Sequence, residues 1–167
     1  MVTQHNMRKS FSDRMIKPDA IQKVINGFDD KTNVYCETNH MFIKTFYDVV
    51  LDKFKDIEVI ILRRPLAKVL KSFIELSYLD KNQESLGWMS SPNAVTCAIK
   101  CIDVDANLDH YDKCIAYLID IEARAQRFKV QYPHIKTHET SIDYLNNFDN
   151  VRNFFEMLNI TYSNNTE

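Results

Sequence analysis

The chain has almost no glycine. Gly27 and Gly87 are the only two among 167 residues, and neither a GxxxxGK(S/T) nor a GxGxxG loop can be written from them, so a glycine-rich phosphate cradle is excluded. An excess of charge of one sign is missing as well, since 21 Lys and Arg stand against 23 Asp and Glu for a formal net charge of −2. No global field draws such a chain to nucleic acid or to an acidic membrane, and any anion site must be local. No stretch approaches the roughly eighteen consecutive apolar residues of a membrane span, and the polar start MVTQHNMRKSFSDR lacks the apolar core of a signal peptide. These absences imply a soluble cytoplasmic protein. The four cysteines, Cys36, Cys97, Cys101 and Cys114, are too few and too unevenly spaced for a secreted disulfide framework and read as reduced.

What is present organises itself around 58–76, EVIILRRPLAKVLKSFIEL. Val59, Ile60, Ile61 and Leu62 form an unbroken apolar run of the kind that fills a parallel strand buried on both faces. The run stops at Arg63 and Arg64. Pro65 cannot continue a central strand but suits the start of a helix, and Leu66, Val69, Leu70, Phe73 and Ile74 then recur at helical spacing. Strand, basic turn and helix follow one another, and the unpaired N–H groups of a helix N-terminus at such a turn attract anions, phosphate above all.

The hydrophobic content of 45% supports a single domain over 1–167. Its first residues, 1–14, are polar and patternless and imply a loosely attached start, and 161–167 reads as a polar tail. Apolar stripes predict helices over 18–28, from Thr38 or Asn39 to Phe54, over 66–79, 94–102, 109–132 and 151–158. Strands are expected near 33–37, 57–63 and 135–141. The alternation is that of an α/β domain, a mostly parallel sheet with flanking helices in three layers. The polar segment 80–92 carries Trp88, the only tryptophan, which reads either as a cover on the core edge or as a loop contact.

The runs NVYCETNHMFIKTF, EVIILRRPLAKVLKSFIEL, YLIDIEARAQRFKVQYP and IKTHETSIDYLNNFDNVRNFFEMLNI resemble the sulfotransferase family over about 33–160. That resemblance implies a P-loop-like α/β fold and transfer of a sulfuryl group from 3'-phosphoadenosine 5'-phosphosulfate to a hydroxyl or amine, with no metal. It implies that Arg64 and Ser72, which have the family's spacing, hold the 3'-phosphate of the donor or of adenosine 3',5'-bisphosphate. It makes His40 the candidate general base, with Glu37 at the end of the preceding strand as its competitor or as a partner for Arg64. The family's opening strand and 5'-phosphosulfate loop have no counterpart before Asn33. The fold is therefore expected to be incomplete, with a sheet edge needing cover from a second copy or a partner chain. The chain is then a portion of a sulfotransferase or a catalytically inactive relative that binds nucleotide or protein.

Around the turn, Arg63 should point away from Arg64 on the pleat, and Lys68 and Lys71 read as solvent-facing. A separate constellation, Cys97-x3-Cys101 and His110-x3-Cys114, places two pairs of soft ligands at i,i+4. Each is open to two readings, a zinc-stabilised helical module or small buried side chains beside Ala98, Ile102, Ile115 and Ala116.

Overall fold

The computed structural model describes residues 7–29, 34–79, 97–99 and 108–160. Trp88, Cys101, most of 94–102 and the tail 161–167 lie outside them. The longest element is α5, His110–Gln131. The Asp109 carboxylate caps it by accepting the Asp112 N–H at 2.8 Å, and residues at three- and four-residue spacing, Cys114, Tyr117, Leu118, Ala125 and Phe128, form its buried side.

Two groups of elements pack along that side. Towards the start of α5, Tyr117 and Leu118 meet Val69, Leu70 and Phe73 of α4, Leu66–Glu75. Towards its end, Phe128 lies edge-on to Phe42 and Tyr47, with ring centroids 5.7 and 5.8 Å apart. Phe42 begins a π-helical turn, Phe42–Phe46, that runs into α3, Tyr47–Lys53. Periodicity implied one helix here, but Asn39 accepts the Met41 N–H in a turn just ahead of it and the first five residues are wound wider.

Two parallel strands complete the α/β arrangement. β1, Glu58–Arg63, and β2, Lys136–Ser141, pair from Glu58↔Lys136 to Arg63↔Ser141, a parallel connection that requires the crossover supplied by α4 and α5. β2 leads into the one-turn α6, Ile142–Leu145, and then α7, Phe148–Met157, whose Phe154 is buried.

Several expectations are corrected. The strand near 33–37 does not form, since 34–39 has no regular structure. A β-prone run becomes a strand only beside a partner edge, and here Tyr35 donates to Glu37 at 2.9 Å while Glu37 takes further bonds from Lys17 and Asn39. The sheet accordingly has two strands among the described residues rather than three. The start is not patternless structure either: Met7–Arg14 forms α1, fastened where Arg14 grips Asp48 at 2.5 and 2.8 Å and donates to the Thr45 carbonyl. It leads to α2, Ile16–Ile25.

α4 stops before residue 79 because Ser77 turns left-handed at φ 53°. Ser77 N–H then bonds the Ile74 carbonyl and Tyr78 N–H the Phe73 carbonyl, the doubly bonded helix end usually built on glycine. Cys97, Ala98 and Ile99 are not helical; the Asp120 carboxylate draws in the Ala98 and Ile99 N–H groups at 2.6 and 3.3 Å. Finally, β1 is not buried on both faces. Ile60 and Leu62 remain 40% and 55% exposed, whereas His138 and Thr140 beside them on β2 are 7% and 9% exposed.

Candidate anion-binding site at the β1–α4 turn

The carboxyl ends of the two strands each feed a helix N-terminus. On β2, Ser141 Oγ accepts the Tyr144 N–H at 3.1 Å and so closes the start of α6. On β1 the chain passes Arg64 and Pro65, and Pro65, at φ −51° and ψ 124°, stands at the cap of α4 without a side chain able to accept. The Lys68 and Val69 N–H groups turn back to the Pro65 carbonyl at 2.9 and 3.2 Å. No acid stands in the first turn of α4. The positive end of this helix dipole is thus left without an anion from its own turn.

The two arginines divide as the pleat requires. Arg63 reaches Glu122 of α5 and also bonds Glu139 of β2 at 3.3 Å, so its charge is neutralised in place. Arg64 is exposed and makes no ion pair among the described residues. Ser72 is half-buried on α4, about 9 Å along the axis from Leu66 at 1.5 Å per residue. Lys71 is exposed and faces Glu75 at 3.7 Å, while Lys68 extends to Asp143 of α6 at 3.5 Å. Arg63 also lines a cleft of about 420 Å³ at the same end of the sheet, with Glu139, Thr140, Tyr144, Asn153 and Met157. Hydrogen bonds from Lys129 hold the Glu139 carboxyl below its ordinary range against the upward push of burial, with Arg63 adding to the effect.

Glu37 does not join Arg64. Burial alone would raise its carboxyl, but the bonds from Lys17, Tyr35 and Asn39 outweigh that and keep it low. It belongs to the segment ahead of the π turn, as does His40. Burial, and then the charge of Lys44, pushes the His40 imidazole below its ordinary value. The pair at the β1–α4 turn and the pair ahead of the π turn are therefore set on different elements, and none of the bonds of Glu37 links them.

Sequence reasoning passed over Lys44. It is buried, with Nζ 5.2 Å from the centre of the Tyr117 ring, and burial together with the nearby Arg124 charge lowers it to about 8. Arg124 itself pairs with Asp120 at 2.6 Å inside the protein and donates to the Lys44 carbonyl at 3.4 Å. A signal did exist, because Asp120 and Arg124 are a charged i,i+4 pair set directly into the apolar side of α5. Of the two soft-ligand pairs, that of Cys97 and Cys101 falls partly outside the described residues, and in the other His110 Nε2 and Cys114 Sγ both donate to the Tyr78 carbonyl, at 2.5 and 3.4 Å. Among the described residues no group of three His, Cys, Asp or Glu side chains is arranged to hold a metal ion.

No described helix is long and apolar enough to cross a membrane. Comparison with protein-family models, with curated proteins and with solved structures gives no match for this chain.

Proposed function

We propose that the chain is a sulfotransferase-like nucleotide-binding domain whose β1–α4 turn takes the 3'-phosphate of 3'-phosphoadenosine 5'-phosphosulfate or adenosine 3',5'-bisphosphate. The observation that carries this reading is the division of the arginines: Arg63 is occupied by Glu122 and Glu139, while Arg64 stands exposed beside an uncapped helix N-terminus at the carboxyl end of a parallel pair. A guanidinium and the Leu66 and Ala67 N–H groups of the first turn supply the charge-assisted bonds that a phosphate dianion needs. Ser72 adds a hydroxyl from the second turn. Calorimetric titration with adenosine 3',5'-bisphosphate tests it. Saturable binding lost on Arg64→Ala and weakened severalfold by Ser72→Ala is expected, and wild-type protein that takes up no nucleotide would refute it.

Sulfuryl transfer is the second reading, and the His40 imidazole favours it. Held below its ordinary 6.5, it is neutral near pH 7 and able to accept a proton from a hydroxyl, with Glu37 as the competing base. Transfer to an alcohol or amine that is lost in His40→Ala while nucleotide binding persists would support catalysis. Binding without any transfer leaves the nucleotide-binding module.

A further inference from the structure

Among the described residues β1 is an edge strand with unusual contents. Between Glu58 and Arg63 it offers four consecutive apolar residues, with no proline within the strand and its one inward charge, Arg63, at the very end, so the devices by which exposed edges avoid pairing are missing from the apolar run. Among the described residues only β2 pairs with it, on one side. Ile60 and Leu62 add an exposed apolar face.

We propose that this edge pairs with the same edge of a second copy, giving a four-stranded sheet in the order β2-β1-β1-β2. Symmetry restricts the geometry. An edge that meets itself across a twofold axis runs antiparallel, and each face stays on its own side of the sheet, so directly opposed residues must share parity. Four centres fit within the apolar run. On the face of Ile60 and Leu62, centring on Val59 opposes Glu58 to Ile60, centring on Ile60 opposes Glu58 to Leu62, and centring on Leu62 opposes Ile60 to Arg64, so each sets a charge against an apolar side chain there. Centring on Ile61 opposes Ile60 to Leu62 of the second copy and Glu58 to Arg64 of the second copy; on the other face it opposes Val59 to Arg63, whose charge is already held by Glu122 and Glu139 of its own chain. Arg64 precedes a proline, which favours extended backbone, and the alternation therefore continues through it on the face of Ile60 and Leu62.

This register agrees with the charges already present. Glu58 bonds Lys136 at 2.9 Å across its own sheet, so the row Arg64 of the second copy, Glu58, Lys136 alternates in sign across three strands. The two copies bring Ile60 and Leu62 together as a four-residue apolar cluster at the axis. Opposed charge pairs and opposed β-branched or aliphatic pairs are the units that stabilise antiparallel neighbours, and main-chain bonds along the edge supply the rest. The pairing and the nucleotide reading both call on Arg64, but they are tested separately, because Leu62→Lys and Glu58→Arg break the pairing at residues with no part in the phosphate site and need no nucleotide present.

Sedimentation velocity on the full chain over a range of concentrations tests it. The wild type is expected to move from the 19.7 kDa chain mass to twice that value. Leu62→Lys changes an exposed side chain, so its circular dichroism should be unaltered while it stays monomeric where the wild type is dimeric. Arg64→Glu should raise the dissociation constant about tenfold, about 1.4 kcal/mol. Glu58→Arg should do at least the same, because it also sets an arginine beside Lys136, and the doubly reversed protein should recover the part of the loss that comes from the contact between copies. A wild type that is monomeric throughout, a dimer indifferent to Leu62→Lys, or a double reversal weaker than Arg64→Glu alone would each overturn the proposal.

Discussion

β1 and β2 lie side by side over six paired residues, from Glu58↔Lys136 to Arg63↔Ser141, yet their sequences and their surroundings are exchanged. β1 is written as EVIILR and keeps two of its apolar side chains in solvent. β2 is written as KTHETS and buries its histidine and its second threonine. The difference comes from what crosses each strand. α7 brings Phe154 and Met157 to the cleft that Thr140 lines, and the Glu58 carboxylate closes over His138 at 2.6 Å. Composition sets how much a strand can bury without cost, and the neighbouring elements set how much it does bury.

Truncations on the two sides of the sheet should therefore rank against hydropathy. Phe154→Ala removes the cover of β2 and is expected to cost about 3–5 kcal/mol in urea unfolding, as large aromatic truncations in cores do. His138→Ala leaves a small cavity and strips a bond from Glu58, a loss of about 1–3 kcal/mol. Leu62→Ala, on the more apolar strand, should stay within about 0.5 kcal/mol of the wild type when measured at concentrations low enough to keep the protein monomeric. A Leu62 truncation as costly as that of Phe154 would mean that β1 is covered after all.

Acid should act through the charges that bridge the strands. Hydrogen bonds from Lys136 and then His138 hold the Glu58 carboxyl below its ordinary 4.5, and Glu139 is lowered chiefly by Lys129. A carboxylate depressed in the folded state contributes stability that is fully present above its unfolded value and is lost as pH falls through the folded one. Stability should thus decline below about pH 4.5, and Glu58→Gln with Glu139→Gln should flatten that decline. Both groups are exposed enough for solvent to screen them, so the effect is about 1 kcal/mol or less for each.

The sequence made part of this arrangement legible, and the reasons differ by element. The strand 58–63 and helix 66–75 showed through because Pro65 and a change of hydrophobic period mark the same point. α5 showed through because its apolar side repeats for six turns. The 33–37 run had strand-forming residues but depends on a partner edge, which no local pattern encodes. The exposure of Ile60 and Leu62 was illegible for the same reason. At the site, the opposite directions of Arg63 and Arg64 follow from the pleat alone, while the capture of Glu37 by Lys17 depends on where α2 lies. The π turn and buried Lys44 sit within an apolar stripe that reads as ordinary helix.

The most direct measurement of the open edge is amide exchange of β1 followed by NMR at two protein concentrations. In a parallel pair, alternate residues of the strand bond the neighbour and the others point outward. In dilute protein the inward set should exchange slowly and the outward set fast, and at high concentration the outward set should become protected as a second copy pairs with it. Outward amides that are slow even in dilute protein, or fast at every concentration, would contradict the account.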